Sequence, residues 1–250
     1  MADKRVALVT GSGKKRVGWH IADALAGRGY KIVVHYNTSA AEAAESVDYF
    51  QSKGVESIAV QADLTDEQSI QVLLKKTLDR FGRLDVLVNS AASWQSKVLE
   101  EVTAADVRHY LETNTLSTFL CSQQAGLIMV KQPEGGNIIT IGDWATERPY
   151  LNYAAYFPSK GAIPALTRTF AVELGTRNPR VRVNCIMPGP VMLPPELPEA
   201  KRHAAIQATL VKREGSPVNI AQSVLFFIDN DFVTGVCLAV DGGRSVYASS

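Results

Sequence analysis

The sequence alternates short apolar runs with longer segments of helical periodicity. The first apolar run, residues 6–10, is rich in valine and ends at a glycine, as a buried strand does. A glycine-rich segment at residues 11–18 follows it, and an apolar-periodic helix is predicted over residues 19–28. A strand, a glycine-rich turn and a helix in this order form the opening unit of a dinucleotide-binding fold. This unit predicts an α/β architecture.

The same alternation continues to the end of the chain. Further strands are predicted at residues 31–35, 57–61, 84–88, 137–141, 181–186 and 236–240, and helices at residues 39–53, 65–81, 104–130, 152–174 and 217–228. Ser39 and Thr65 are the predicted N-caps of the helices that begin at these residues. Short apolar strands separated by helices favour a parallel sheet covered on both faces. No linker or internal repeat divides the chain, so we expect one domain over residues 1–250.

The segment 190–213 departs from this pattern, because it is rich in proline and mixed charge. We expect it to be an excursion over the surface, either a lid or a solvated loop.

Composition excludes several classes of function. The net charge of +1 provides no field to attract nucleic acid or an anionic membrane. The apolar run near the N-terminus is too short for a signal peptide, and no run approaches the ~18 apolar residues of a membrane span. Cys121, Cys185 and Cys237 lie far apart in sequence and, like the histidines, show no metal-ligand spacing. We therefore expect free thiols, no metal site and a cytoplasmic location.

The glycine-rich turn is a candidate phosphate site. Gly11, Gly13 and Gly18 would let the backbone approach a pyrophosphate, and the helix N-terminus behind them favours anions. Basic residues fill the turn, with Lys15 and Arg16 at its centre. Cations at this position suit a cofactor that carries an additional phosphate.

The end of the second predicted strand supports the same cofactor. An NAD-binding fold usually has an acidic residue there for the ribose hydroxyls, whereas this chain has the sequence HYNTS at residues 35–39. A carboxylate would repel a 2′-phosphate, but Arg16, His35 and Ser39 could bind one. We therefore predict NADPH/NADP+ rather than NADH as the cofactor.

Tyr156 and Lys160 form a candidate proton donor. Residues four apart share one face of a helix, so the two side chains can point into one site. A tyrosine has a pKa of roughly 10, and a nearby ammonium lowers it. Asp143 lies thirteen residues before the tyrosine. These three residues are candidates for acid–base chemistry.

In this order along the chain, the motifs resemble those of the short-chain dehydrogenase/reductase family over nearly the whole length. The matching residues are Thr10-Gly11 with Gly18, Asp63, Asn89-Ser90-Ala91-Ala92, Asn114, Tyr156, Lys160, Pro188-Gly189 and Val240-Asp241-Gly242-Gly243. The resemblance implies a single Rossmann-type doubly wound domain with a seven-stranded parallel sheet, assembled as a homotetramer or dimer.

The resemblance also implies roles for individual residues. Asp63 would lie beside the adenine, Lys160 would also hold the nicotinamide ribose, and Asn114 would keep a water in the proton relay. Backbone at Pro188, Gly189 and Val191 would meet the nicotinamide carboxamide. The complete predicted cofactor set is Gly11, Lys15, Arg16, Val17, His35, Tyr36, Asn37, Ser39, Asp63, Leu64, Asn89, Ala91, Tyr156, Lys160, Pro188, Gly189 and Val191.

Two departures from the family pattern are similar to the pteridine reductase branch. Arg16 lies in the glycine turn, and Asp143 replaces the usual catalytic serine. Trp94 falls where that branch places an aromatic that stacks on the pterin. The turn itself is one residue longer than the family's. Asp143 could instead cap a helix, and Trp94 could be a core or interface aromatic.

These features predict an NADPH-dependent oxidoreductase that transfers hydride to a dihydropterin or a dihydrofolate-like substrate. In this hypothesis the catalytic residues are Asp143, Tyr156, Lys160 and Asn114, and Trp94, Asp143 and Tyr156 contact the substrate. The alternative is a short-chain carbonyl reductase acting on a 3-oxoacyl, other ketone or quinone substrate. A third possibility is a non-catalytic NADPH-binding sensor, which the complete Asn114, Tyr156 and Lys160 set disfavours.

Overall fold

Seven parallel strands form the centre of the structure, a computed structural model that describes residues 5–247. The predicted domain also includes residues 1–4 and 248–250, which lie outside the described residues. The strands are β1 (Val6–Val9), β2 (Lys31–Tyr36), β3 (Ser57–Gln61), β4 (Val86–Asn89), β5 (Gly136–Ile141), β6 (Val181–Pro188) and β7 (Cys237–Val240). They pair in the order β3-β2-β1-β4-β5-β6-β7. The predicted α/β fold, a single doubly wound domain with seven parallel strands, is confirmed.

Helices connect the strands. They are α1 (Val17–Gly27), α2 (Ala40–Ser52), α3 (Glu67–Phe81), α4 (Ala104–Tyr110), α5 (Ser117–Met129), α6 (Tyr156–Gly175), α7 (Glu199–Gln207) and α8 (Pro217–Asp229). Short 3-10 helices occupy Leu99–Glu101 and Trp144–Thr146. The segment 190–213, expected to be an excursion, contains α7, none of whose residues is buried.

Both faces of the sheet are buried, which explains the continuous apolar runs in the strands. In β1, Val6 and Leu8 pack in one core with residues of α3, α5 and α6. Ala7 and Val9 point to the opposite face and pack with residues of α1 and α8. Successive side chains of a strand alternate between faces, so a strand buried on both sides has no polar positions to interrupt it.

A π-helix, Leu111–Leu116, joins α4 to α5 within the segment predicted as one long helix. Asn114 lies in this wider turn and is almost fully buried. Its side-chain oxygen accepts the Ser93 amide at 2.9 Å, and its Nδ2 donates to the Ser159 hydroxyl at 3.0 Å. The π-helix therefore coincides with a side chain that joins the loop after β4 to α6, in keeping with the tendency of such turns to mark functional sites.

The cap of α3 differs from the prediction. Asp66, not Thr65, is the N-cap, and its carboxylate accepts the Ser69 amide at 2.8 Å. Thr65 instead donates its hydroxyl to Asp63 at 2.8 Å. Ser39 precedes α2 as predicted, but its side chain makes no capping hydrogen bond. Its hydroxyl is therefore not used by the helix that it precedes.

The carboxyl ends of β1 and β4 are joined by Thr10. Its hydroxyl accepts the amides of Ser90 at 2.9 Å and Ala91 at 3.0 Å. Strands β1 and β4 are neighbours in the sheet but lie far apart in sequence, and the chain order reverses between them. In open α/β sheets, ligands bind at the carboxyl ends of the strands next to such a switch point.

His35 fixes the position of the turn after β1. Its Nδ1 accepts the Gly11 amide at 3.0 Å, and its Nε2 lies 3.1 Å from the Ala62 carbonyl. The ring is 2% exposed, and burial lowers the pKa of His35 to about 4. The predicted contact of His35 with a 2′-phosphate is therefore wrong. The ring is neutral and buried, and each of its nitrogens has a hydrogen-bond partner within the protein. It therefore positions the turn instead.

Stability should depend on pH through His35. The unfolded histidine has a pKa of 6.5, whereas the folded one has a pKa of about 4, so the unfolded chain binds the proton first. The contribution of the neutral ring is complete above pH 6.5 and is lost as the pH falls toward 4. Compared with H35N, the wild type should lose about 3 kcal/mol more of its free energy of unfolding over this range. Chemical denaturation at several pH values measures this difference.

The matched control is H203N, because His203 is exposed on α7. It should keep the pH dependence of the wild type. Parallel stability curves for the wild type and H35N would show that His35 is not the group that titrates.

Candidate active site

The residues predicted to bind the cofactor follow the carboxyl ends of five strands. Gly11 follows β1, Tyr36 ends β2, Asp63 follows β3, Asn89 ends β4 and Pro188 ends β6. All strands are parallel, so these ends meet at one edge of the sheet. The fold therefore brings together the set that was chosen from sequence, and their contact with a cofactor stays a prediction.

The glycine turn is packed as closely as a phosphate cradle requires. Gly11 has φ +66°, and a Cβ there would lie 2.9 Å from the Ala91 Cα. A Cβ on Gly18 would lie 2.9 Å from the Gly11 carbonyl oxygen. Helix α1 begins at Val17, and neither an acidic residue in its first turn nor a side-chain cap satisfies its amides. These amides face the turn, so the residues fit a bound phosphate.

The basic residues of the turn differ in their surroundings. Lys14 pairs with Glu42 at 3.4 Å, and the Lys15 ammonium lies 5.5 Å from the centre of the Trp19 ring. Arg16 is exposed at the N-cap of α1. A Cβ on Gly13 would lie 3.1 Å from the Ser39 hydroxyl oxygen, so this hydroxyl borders the turn. Arg16 and Ser39 can therefore meet an additional phosphate, whereas Lys14 is partly neutralised.

The remaining cofactor candidates line the edge on either side. Asp63 is exposed, and its Oδ1 is held by the Thr65 amide at 2.9 Å. Leu64 is buried beside it and Asn37 is exposed after β2. Asn89 is buried and donates to the Ser122 hydroxyl at 3.0 Å, which orients its amide.

The loop after β6 has a backbone approach that only glycine permits. A Cβ on Gly189 would lie 2.4 Å from the Asp241 Cα. The Gly189 amide donates to the Val240 carbonyl at 3.0 Å. Val191 pairs with Gly215 in an isolated parallel bridge. The loop that begins at Pro188 is thus held against β7 and the start of α8.

Tyr156 and Asp143 are in direct contact. The Tyr156 hydroxyl donates to the Asp143 Oδ2 at 2.8 Å. Oδ1 of the same carboxyl accepts the Ala145 amide at 2.9 Å, because Asp143 is the N-cap of the 3-10 helix Trp144–Thr146. The capping role and the contact with the tyrosine were alternatives in sequence. In the structure, one carboxyl does both.

The electrostatics of Tyr156 differ from the sequence prediction. Burial and the Asp143 carboxylate raise the pKa of Tyr156, instead of a lysine lowering it. Lys160 donates to the Ile141 carbonyl at 2.8 Å, and burial lowers the pKa of this lysine. Burial also raises the pKa of Asp143. Both the tyrosine and the aspartate therefore keep their protons to a higher pH than they would in water.

The side-chain amide of Asn114 makes hydrogen bonds within the protein through both its oxygen and its nitrogen. Besides Ser159, its Nδ2 donates to the Ser93 carbonyl at 3.0 Å, and its own backbone carbonyl accepts the Thr118 hydroxyl at 2.7 Å. Ser159 in turn donates to the Tyr156 carbonyl at 2.7 Å. Asn114 thereby positions the start of α6, and its predicted role in a water relay stays a prediction.

A cleft of about 210 Å³ lies beside Tyr156. The loop after β4, helix α4 and the segment that leads into α6 line it: Gln95, Ser96, Lys97, Val102, Asp106, Tyr110, Asn152, Tyr153, Ala154, Ala155 and Tyr156. Of these, sequence reasoning singled out Tyr156 alone. The others carry no motif, although the aromatic run around Tyr153 was a signal of a packed wall. Trp94 precedes this lining and is 42% exposed, so it is not a core aromatic.

Within residues 5–247, no group of three His, Cys, Asp or Glu side chains is placed to hold a metal ion. Over the same described range, no helix is long and apolar enough to cross a membrane.

Comparisons with known proteins agree with this geometry. Residues 12–245 match the model of a family described as Enoyl-(Acyl carrier protein) reductase. The chain is 34% identical to (2S)-[(R)-hydroxy(phenyl)methyl]succinyl-CoA dehydrogenase subunit BbsD of Thauera aromatica, covering 98% of both proteins. It is 32% identical to a 3-oxoacyl-[acyl-carrier-protein] reductase of Synechocystis, covering 97% of this chain and 98% of the relative.

A solved structure is also similar to this chain over nearly its whole length. A dehydrogenase/reductase from Sinorhizobium meliloti 1021 superposes with a TM-score of 0.88 at 33% identity, covering 97% of this chain and 95% of that one. The fold, the motifs at the carboxyl edge of the sheet and these relatives agree: the chain belongs to the short-chain dehydrogenase/reductase family of oxidoreductases.

Proposed function

We propose that this protein is an NADPH-dependent reductase of a carbonyl substrate of the 3-oxoacyl or related ketone class. The observation that carries the proposal is the partly buried hydrogen bond, 2.8 Å long, that the Tyr156 hydroxyl at the wall of the cleft donates to Asp143. This pair can deliver a proton to an oxygen bound beside it. The names of two relatives, a 3-oxoacyl-[acyl-carrier-protein] reductase and a (2S)-[(R)-hydroxy(phenyl)methyl]succinyl-CoA dehydrogenase subunit, support an acyl substrate.

A bound nicotinamide cofactor would supply the hydride. Gly11, Arg16 and Ser39 would hold its phosphates, and Asp63 and Lys160 its adenine and ribose sides. Tyr156 donates its proton to the substrate oxygen as negative charge develops there. Because burial keeps the phenol protonated, the tyrosine enters the reaction in its acid form.

Asp143 takes the place of the family's serine in this scheme. An ionised carboxylate would repel an oxygen that gains negative charge, which counts against a ketone substrate. Burial raises the pKa of Asp143, so its acid form is more available. A protonated Asp143 returns a proton to Tyr156 across the same hydrogen bond after the tyrosine has given up its own. In this acid form Asp143 carries no negative charge that would repel the substrate oxygen.

Reduction of a pterin remains the second candidate function. Asp143 could bind the amino group of a pterin as a carboxylate, and Trp94 is exposed at the beginning of the loop that lines the cleft. An exposed indole next to a cleft is suited to stack on a flat heterocycle.

A substrate panel tests the proposal. Purified protein with NADPH should reduce a 3-oxoacyl thioester, and 7,8-dihydrobiopterin and dihydrofolate should be poor substrates. Y156F should lower kcat by about 10²–10⁴-fold, because it removes the proton donor, and should leave the affinity for NADPH unchanged. Turnover is measured as the loss of absorbance at about 340 nm, where reduced nicotinamide absorbs, as NADPH is oxidised. Turnover of the pterins alone would overturn the ketone proposal in favour of the second candidate.

The role of Asp143 predicts a pH dependence. The acid form returns the proton, so kcat should fall as the pH rises through the raised pKa of Asp143. In D143S this limb of the pH profile should disappear, because a serine hydroxyl does not titrate in this range, and ketone turnover should persist. Steady-state kinetics from acid to alkaline pH measure the profile. An unchanged limb in D143S would assign the titration to another group.

Cofactor choice rests on Arg16. R16A should raise the Kd of NADPH about tenfold or more, because it removes a charge-assisted contact with the 2′-phosphate, and should leave the Kd of NADH unchanged. K14A is the matched control in the same turn: Lys14 pairs with Glu42, so its loss should matter less. Fluorescence titration with both cofactors measures these constants. Equal weakening of NADH and NADPH by R16A would contradict the assignment.

A further inference from the structure

Cys185 and Cys237 are neighbours although they are far apart in sequence. They are paired residues in the register of β6 and β7. Adjacent strands lie about 4.8 Å apart, and a disulfide needs Cα atoms roughly 4.4–6.8 Å apart. Both side chains pack on the same face of the sheet, in the cluster that contains Ile163 and Leu166 of α6. Cys237 packs against the cluster that contains Cys185, and each thiol is the largest single influence on the pKa of the other.

The surroundings of the two sulfurs differ. Cys185 is fully buried, and a Cβ on Gly142 would lie 3.0 Å from its Sγ, so the glycine makes room for the sulfur. Cys237 is partly exposed, and Arg168 Nη1 lies 3.8 Å from its Sγ. Both cysteines are free thiols. One thiol is thus partly exposed to solvent, and the other is buried in the same cluster.

We propose that Cys185 and Cys237 form an oxidation site at which a peroxide converts the two thiols into a disulfide between β6 and β7. None of the steps described for catalysis uses either sulfur.

The chemistry needs one peroxide molecule. The Cys237 sulfur attacks a peroxide oxygen, the O–O bond breaks, and one water leaves while Cys237 becomes a sulfenic acid. The Cys185 sulfur then attacks the Cys237 sulfur, the S–O bond breaks, and a second water leaves. Together the two thiols lose two protons and two electrons, and the peroxide is reduced to two waters.

The two thiols influence each other's titration. Cys237, followed by contributions from Thr140, Gly142 and Lys160, lowers the pKa of Cys185 to about 7 in spite of burial. Cys185, followed by burial, raises the pKa of Cys237. The negative charge of the pair therefore resides on Cys185, and the Cys237 proton passes to Cys185 before the exposed sulfur attacks the peroxide. A thiolate is the nucleophile in disulfide formation. The third cysteine, Cys121, is buried among apolar side chains, which raises its pKa to about 12.

The charge of the pair also influences Lys160, one of the proposed catalytic residues. The negative charge on Cys185 helps to keep Lys160 protonated, and Gly142 directly precedes Asp143. A disulfide carries no charge, so oxidation removes this support for the lysine. The consequence for turnover rests on the proposed function, whereas formation of the disulfide does not.

Thiol mapping tests the proposal without any activity assay. The purified protein is treated with hydrogen peroxide, alkylated under denaturing, non-reducing conditions, digested and examined by mass spectrometry. The wild type should lose two of its three free thiols and yield a linked peptide pair that contains Cys185 and Cys237. C121A, the matched control, should form the same link. C237S should form none.

Three outcomes would overturn the proposal: three free thiols after treatment, a stable sulfinic acid at Cys237 without a link, or a link that involves Cys121. The wild-type map alone decides among these, so it does not depend on whether a variant folds. In a parallel assay, peroxide should lower turnover of the wild type reversibly with dithiothreitol and leave C237S unaffected. A disulfide without any change in turnover would keep the oxidation site and refute only its influence on catalysis.

Discussion

The close approach of β1 and β4 at their carboxyl ends is the constraint on which the rest of the site depends. The Thr10 hydroxyl accepts two amides from the loop after β4. Gly11 turns away with a positive φ at a point where a Cβ would lie 2.9 Å from the Ala91 Cα. Any larger residue would separate the two loops. Because the sheet order reverses here, the gap opened by this turn is where a dinucleotide can enter.

Burial decides the chemistry next to that gap. Tyr156 is buried and Asp143 is partly buried. Burial raises the pKa of both groups, and they share a hydrogen bond. The same physical effect neutralises His35 and makes it a fixed support of the turn rather than a cation for a phosphate. His35 and Asp143 thus act as hydrogen-bonding groups, because desolvation penalises their charged forms.

Much of the fold could be predicted from sequence, because the signals are local. Apolar runs such as the one before Gly11 are continuous since both faces of the sheet are covered, and the strands follow from them. Element ends were less accurate. The sequence predicts Thr65 as the N-cap of α3, but the Thr65 hydroxyl donates to Asp63 and Asp66 caps the helix instead. The sequence does not predict the π-helix around Asn114. This turn coincides with contacts of Asn114 to Ser93 and Ser159, which lie in distant segments and meet it only in the folded chain.

The sequence by itself determined the alternation of strands and helices, the glycine turn, and the presence of Asp143, Tyr156 and Lys160 in one stretch, because spacing and residue type carry that information. Only the tertiary structure decided which groups meet. It gave Tyr156 a carboxyl rather than an ammonium as its partner, buried His35 under the turn, and placed Cys185 against Cys237. These contacts join residues from different strands and helices, and their distances and dielectric surroundings exist only once the sheet has formed.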